Sequence, residues 1–336
     1  MNDLRSDGVR AHDLRADDVR ADEFRTDDLS TDDLRILATG LRFPEGPVVL
    51  DDGAIALVEI ARGTVSRVDP DGRVSVIADL GGGPNGLALG PDGDLYVCNN
   101  GGFEWRDEAG VLRPVGTPAD YSGGRIERVD PRTGASRLLY ERCGEHRLKG
   151  PNDIVFDRHG GFYFTDLGKV RRRDRDQGGV YYAAADGSHI AEIVHPILTP
   201  NGIGLSPDES TLYVAETEGA RLWAFDLAGP GVIERQPFPS PNGGRFLYNA
   251  EGYHRFDSLA VDAEGNICVA TLISGAITVI SPDGRLVRRV KTPDVYTTNI
   301  CFGGEDMRTA YITLSGSGRL AAMPWPEAGL RLNFAA

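Results

Sequence analysis

The sequence predicts an all-β chain folded as a six-bladed β-propeller with four antiparallel strands per blade, the N-terminal strand closing the last blade. Three observations predict it. First, one hairpin unit occurs six times: FPEGPVVLDDGAIALVE, GPNGLALGPDGDLYVCN, GPNDIVFDRHGGFYFTD, TPNGIGLSPDESTLYVAE, RFDSLAVDAEGNICVAT and TTNICFGGEDMRTAYIT. In each, an acid or amide opens an apolar strand, a Gly/Asp turn follows, and a second apolar strand starts ten or eleven positions after that lead residue. Second, a further strand pair separates the hairpins, as in GTVSRVDPDGRVSVIADL and GAITVISPDGRLVRRV, so that four strands recur at roughly 40 to 67 residues. Third, no amphipathic helical stretch of convincing length interrupts them. Sandwiches and simple barrels do not predict six equivalent hairpins.

In chain order, residues 1–35 carry one apolar residue every five positions (Leu4, Val9, Leu14, Val19, Phe24, Leu29, Leu34) among charges. Period five matches neither helix nor strand, and the expectation is a flexible, low-complexity charged tail. Residues 36–336 form the single propeller domain. The sixth blade has little chain after its hairpin. GSGRLAAMPW is expected to supply its third strand and RILATG, from the N-terminal side, its fourth, which ties the ends of the ring together.

Composition narrows function. With 40% AVILMFWYC the chain can bury a large core. A formal charge of −14 argues against nucleic acid and anionic membrane surfaces as partners. Cys98, Cys143, Cys268 and Cys301 show no CxxC spacing, and three lie inside expected strands, which favours free buried thiols. There is no N-terminal apolar leader and no apolar run near 18 residues, so a cytoplasmic location is expected. Oligomeric state is left open.

The lead residues carry the chemistry. They are Glu45, Asn85, Asn152, Asn201, Asp257 and Asn299. At the start of each blade's innermost strand they should converge on the propeller axis from one end. Two carboxylates and four amides make an oxygen-donor ring of charge −2. Such donors suit a hard divalent cation; Ca²⁺ takes about six to eight oxygens at about 2.3–2.6 Å. The absence of Cys and His from the ring weighs against a typical zinc site. Pro-Asn-Gly is a common turn, so one copy means little; six equivalent copies mean more.

At these residues the chain resembles the gluconolactonase / senescence-marker-protein / luciferin-regenerating-enzyme family of six-bladed propellers. The resemblance covers about residues 36–325 and rests on FPEGP, PND, PNGIGLS, FDSLAVDAEGNICVA and TNICFGGEDMRTAYIT in that order. It implies one catalytic divalent metal, commonly calcium, with zinc, manganese or magnesium in some members, and a small-molecule lactone as substrate. Glu45, Asn201 and Asp257 match the family's ligand positions; Asn152 matches a fourth ligand or a substrate contact. The family's sugar-lactone branch has Arg two residues before that Asn. Here Gly150 stands there beside Lys149, which puts an aldonolactone substrate in doubt.

Lactone opening needs an electrophile on the carbonyl oxygen and an activated water, and a bound metal supplies both. Asp257 is the candidate base, or alternatively the nucleophile. Asp153 is a second candidate base, with a turn or inter-blade hydrogen bond as its ordinary role. Two long connections lead toward the channel mouth. NNGGFEWRDEAGVLRPVGTPADYSGG offers Asn99, Asn100, Phe103, Trp105 and Tyr121; PFPSPNGGRFLYNAEGYHR offers Phe246, Tyr248, Tyr253 and His254. Of these Asn100, Phe103, Tyr121 and His254, with Asn152 and Lys149, are the candidate substrate contacts. Asp166 is expected to cap a turn. Asn85 and Asn299 are expected to touch water or ligands near the cation. Two other functions share the scaffold: a phosphotriesterase-like hydrolase, and a non-catalytic binding module, against which the paired acids speak.

Overall fold

The computed structural model describes residue 29 and residues 31–335; residues 1–28 and 30 of the expected charged tail lie outside them, while its last residues form a 3₁₀ turn, Thr31–Asp33, with Leu29 and Leu34 packed against the apolar core. Six antiparallel sheets stand around one axis. From the axis outward, blade 1 is Pro44–Val49, Ile55–Glu59, Thr64–Val68 and Val74–Asp79; blade 2 is Pro84–Leu89, Leu95–Asn99, Arg125–Val129 and Ser136–Tyr140. Blade 3 is Pro151–Phe156, Gly161–Asp166, Gly178–Ala184 and Ile190–Ile197. Blade 5 is Arg255–Val261, Ile267–Leu272, Ala276–Ile280 and Leu286–Lys291. Blade 6 runs Thr297–Gly303, Thr309–Leu314 and Arg319–Pro324, and its outer strand is Arg35–Ala38, as the sequence predicts. The inner strands pack side to side in order, and that of blade 6 meets that of blade 1.

Blade 4 departs from the four-strand rule. Beyond Pro200–Leu205 and Thr211–Glu216, its long third strand Arg221–Gly229 pairs with two short strands in tandem, Val232–Glu234 and Arg245–Asn249. The excursion between them holds Phe238, almost fully exposed. This corrects one expectation. Phe246 pairs opposite Trp223 and packs on its ring at 5.6 Å, mid-blade rather than at the mouth, and Tyr248 stacks on Phe256.

The core is partitioned between blades. One apolar cluster fills each of the six gaps: Val58 with Leu95 between blades 1 and 2, Tyr96 with Phe162 between 2 and 3, Val155 with Leu212 between 3 and 4, Leu222 with Val269 between 4 and 5, Ile277 with Ile312 between 5 and 6, and Leu57 with Leu320 across the closure. Each sheet is covered on both faces. That is why its second strand is buried at every position in blade 1, IALVE, and in blade 3, GFYFTD, instead of alternating. Truncating one such side chain, Leu57→Ala for example, removes contacts from two blades and costs about 2–5 kcal/mol. All four cysteines are free. No helix among the described residues is long and apolar enough to cross a membrane.

This packing leaves an axial channel. Its lower part is apolar, lined by Val48, Leu87, Ile154, Ile203, Leu259 and Ile300. The C-terminal segment closes the bottom: Leu330 and Leu332 line it, and Asn333 donates to the Phe156 carbonyl (3.1 Å) and to Glu209 Oε1 (2.6 Å).

Candidate functional site

All six lead residues occupy the same place, at the upper end of an inner strand, and in every blade the ladder slips there. The register shifts fall between Glu45 and Val48, Pro84 and Gly86, Pro151 and Ile154, Pro200 and Ile203, Phe256 and Leu259, and Thr297 and Asn299. A bulge breaks the alternation of side chains and re-aims the residue it contains. The residue after the lead is glycine in three blades because the next blade comes too close for a side chain. A Cβ on Gly202 would lie 2.6 Å from the Asp257 carbonyl oxygen, and one on Gly86 would collide with that of Asn152. The Asn-Gly and Glu-Gly pairs thus draw the lead residues into a tight ring.

Five of the six lead residues are buried; Asp257 is half-open. Glu45 Oε2 accepts from Asn299 Nδ2 at 3.0 Å and from the Gly46 N–H at 3.1 Å. Asn201 donates Nδ2 to Thr217 Oγ1 at 3.0 Å, which fixes its amide and leaves Oδ1 buried with no hydrogen-bond partner. Burial pushes the Glu45 carboxyl up to about 7, against the pull of hydrogen bonds from Asn299 and Thr298. Asp257 is driven well above the carboxylate range by burial and then by the charge of Glu45, with a further push from Asp153. Asp153, one step along the blade 3 strand, accepts from the Ile154 N–H at 3.0 Å and is itself pushed up to about 7 by burial.

The structure therefore brings Glu45, Asn201, Asp257 and Asn299 into one electrostatic unit, with Asn85 and Asn152 at the equivalent places in blades 2 and 3. The principal groups acting on Glu45 and Asp257 include no Lys or Arg. A buried pair of like charges and an orphaned amide oxygen fit a cation held by Glu45, Asn152, Asn201 and Asp257. Among the described residues no three His, Cys, Asp or Glu side chains converge on one point, so the donor set is complete only with its amides, and Asp153 acts on the pair through its charge.

A second group of buried polar residues lies just outside the first, at the ends of the second strands: Glu59, Asn99, Asp166 and Glu216. These clamp the backbone entering the inner strands of blades 1 to 4. Asp166 accepts from the N–H groups of Lys149 (2.7 Å), Gly150 (2.7 Å) and Gly168 (2.9 Å), the capping role expected of it. Burial nonetheless outweighs these bonds and holds its carboxyl above the usual range. Glu59 takes the Arg42 N–H (2.7 Å), Glu216 the Leu198 N–H (3.1 Å), and Asn99 the Gly83 N–H (2.9 Å). Gly150 is locked by the same device. A Cβ there would lie 2.7 Å from the Gly168 carbonyl oxygen, so no arginine can stand at this position without moving the backbone.

The long connection after the second strand of blade 2 roofs part of the mouth. It carries a hairpin, Glu104–Glu108 with Val111–Gly116. It is tied to blade 6 by the Leu112 N–H on the Gly316 carbonyl (2.9 Å), and to blade 3 by Thr117 Oγ1 on the Val170 carbonyl (3.0 Å) and by Tyr121 OH on the Lys149 carbonyl (2.6 Å). Trp105 packs on Phe43, two residues before Glu45, at 5.0 Å. Sequence inspection missed Lys169, whose buried Nζ donates to Asn100 Oδ1 (3.2 Å) and the Gly102 carbonyl (2.8 Å) and lies over the rings of Phe103 (4.4 Å) and Tyr121 (5.1 Å). Nothing in the loop sequence DLGK signals this. Asn100 and Tyr121 thus have structural partners at the rim, and Lys149 contributes backbone groups while its side chain faces solvent. His254 lies on the top of blade 5 toward Arg289 and Lys291, away from the ring's hydrogen bonds, and burial and these cations hold its pKa down.

Residues 43–316 match the family model described as "SMP-30/Gluconolactonase/LRE-like region". A lactonase, drp35, of Staphylococcus saprophyticus is 30% identical over 263 residues, covering 77% of this chain and 72% of that protein. A gluconolactonase of Zymomonas mobilis is 27% identical over 307 residues, covering 84% and 79%. Among solved structures, a gluconolactonase of Xanthomonas campestris superimposes with a TM-score of 0.68 at 26% identity, covering 87% of this chain and 89% of that one. Regucalcin of Agrobacterium tumefaciens, at 21% identity and a TM-score of 0.70, shares the fold. The ring of bulged lead residues and the span of the match agree: the chain belongs to the SMP-30/gluconolactonase/LRE-like family.

Proposed function

We propose that the chain is a divalent-cation-dependent lactonase, with Glu45, Asn152, Asn201 and Asp257 holding one cation, calcium in our reading. The observation that carries this is the buried Asn201 Oδ1, which has no partner although its amide is fixed by Thr217, beside two carboxyls that repel each other. An oxygen-only donor set favours a hard cation. When bound there, the cation would supply a Lewis acid for the lactone carbonyl and acidify a water molecule. Asp257, more open to the mouth than its ring neighbours, takes the proton from the attacking water. The water oxygen bonds to the carbonyl carbon, the ring C–O bond breaks, and the proton passes to the departing alkoxide, giving the hydroxy acid. Asn152 and, at the rim, Phe103 are assigned to substrate; Asn100 and Tyr121 shape the rim through Lys169 and the Lys149 carbonyl, and the side chains of Lys149 and His254 are left out of the assignment. The closed, apolar lower channel restricts entry to the roofed end.

The test is hydrolysis of a panel of lactones after EDTA treatment, with and without added Ca²⁺, Mn²⁺ or Zn²⁺. Activity lost with EDTA and restored by a cation is expected. Cation-independent hydrolysis, or none with any cation, would overturn the proposal.

A further inference from the structure

Two residues before each lead residue the chain crosses the rim of the mouth. The six residues there are Phe43, Gly83, Gly150, Thr199, Arg255 and Thr297. Five are buried; Arg255 keeps 36% of its side chain exposed and is the one charged member of the set. Its guanidinium is held from two sides. Glu218, on top of blade 4, takes one contact at 3.4 Å, and the Tyr253 ring lies 6.0 Å beneath it. Glu218 is itself fixed, its N–H bonded to Thr199 Oγ1 at 3.0 Å, and it is shared with Arg175 of blade 3 at 3.9 Å. On the neighbouring blade 6, Tyr296 is near enough for Arg255 to act on its phenol, and Tyr296 packs on Phe43 at 5.8 Å.

Glu218 is shared by two arginines, Arg175 and Arg255, and so offsets one of their two charges, in a chain whose formal net charge is −14. Arg255 is not among the principal groups acting on Glu45 or Asp257, so its guanidinium is not spent on the ring below. A guanidinium has five N–H donors in a fork that matches a carboxylate. The single contact with Glu218 leaves most of the fork open, two residues along the strand from Asp257. Tyr296, partly exposed and backed by the buried Phe43, offers an apolar face on the adjoining side of the mouth.

We propose that Arg255 is a specificity-determining residue that binds an anionic substituent, such as a carboxylate, on the lactone substrate. This rests on the lactonase reading above and narrows its substrate class to lactones that carry a negative charge. Glu218 tunes the interaction by holding the guanidinium and offsetting part of its charge.

The experiment compares γ-butyrolactone with its γ-carboxylate in the Ca²⁺-loaded protein. The wild type is expected to prefer the carboxylate in kcat/KM. Arg255→Gln should lower the ratio between the two substrates about 10- to 100-fold, the loss expected for a charge-assisted hydrogen-bonded contact, through KM rather than kcat, with Arg255→Lys between. Glu218→Gln should shift the ratio the other way, toward the carboxylate, a gain that misfolding cannot mimic. An unchanged ratio in both variants overturns the proposal. If the wild type opens neither lactone with any cation, the lactonase reading fails instead. Calorimetric binding of the ring-opened dicarboxylate then decides for Arg255: at least about tenfold weaker binding in Arg255→Gln supports it, and equal or absent binding overturns it.

Discussion

Two sets of buried acids and amides stand side by side at the top of this propeller, and their hydrogen bonds tell them apart. Glu59, Asn99, Asp166 and Glu216 are satisfied by backbone N–H groups that enter the inner strands. Glu45, Asn201 and Asp257 are buried or half-buried against one another, with an orphaned oxygen and a mutual repulsion. Residue type does not separate the sets. What differs is whether the protein itself completes the coordination of each oxygen. A completed set fixes the backbone; an incomplete one costs stability and keeps its donors available for a ligand.

The sharpest way to break this comparison is to make one substitution in both sets. Asp257→Asn should lower kcat by about 10³-fold or more, as expected for loss of a general base that also binds the cation, while the melting temperature in the absence of cation holds or rises because the repulsion with Glu45 is gone. Asp166→Asn should do the reverse. Its new amide N–H₂ would face at least one of the three N–H donors now bonded there, costing about 1–3 kcal/mol with kcat/KM within about threefold of wild type. Steady-state kinetics and thermal melts on both variants check it; a catalytic collapse in Asp166→Asn would merge the two sets.

The next effect is at Asn201. Asn201→Leu removes the orphaned oxygen and keeps the side chain's volume, so stability should change by less than about 1 kcal/mol. Cation affinity should fall at least tenfold and activity about 10²-fold. Calorimetric titration with Ca²⁺ measures the first and a lactone assay the second. Undiminished cation affinity would remove Asn201 from the ligand set.

How much of this was legible beforehand follows the range of the interactions. The hairpins and the lead positions are written in local patterns that recur six times, and the closure by RILATG follows from the short chain left after the sixth hairpin. The partnership of Asn299 with Glu45 is written in neither, because those residues are 254 positions apart and meet only when the ring closes. For Asp153 the sequence leaves a candidate base and an ordinary turn or inter-blade hydrogen bond side by side; only the packed ring shows that its carboxyl faces the channel. Phe246 and Tyr248 were assigned to the mouth because Pro and Gly before them signalled a long loop. The outer edge of Arg221–Gly229 had room for a second partner strand, and β-prone RFLYN filled it.

An effect on stability tests the unbalanced charge directly. Glu45 and Asp153, both raised to about 7, stay protonated in the cation-free folded state at pH values where they ionise in the unfolded chain. The unfolded state therefore loses its protons first. Stability of the cation-free protein should fall as pH rises from about 4 to 7 and level off above, by on the order of 5 kcal/mol. Ca²⁺ should raise the melting temperature more at pH 8 than at pH 5, because at pH 5 protons compete for the same oxygens. Asp166, raised as well, contributes a part of the slope that Ca²⁺ does not remove. Equal stabilisation by Ca²⁺ at both pH values would show that the cation binds elsewhere.

The least effect is expected at Lys169, which joins the two regions. Burial lowers its pKa to about 7, with the nearby charges of Asp166 and Asp176 pulling the other way. Its Nζ ties Asn100 and Gly102 to the top of blade 3. Lys169→Met keeps the packing on Phe103 and Tyr121 and removes the two hydrogen bonds. The roof stays anchored by Tyr121, Thr117 and Leu112, so the ring beneath should keep its cation and its kcat. A loosened rim should instead raise KM about two- to fivefold, equivalent to roughly 0.5–1 kcal/mol. If kcat falls with KM unchanged, Lys169 acts on the reacting groups, and the roof belongs with the ring rather than with the structural clamps around it.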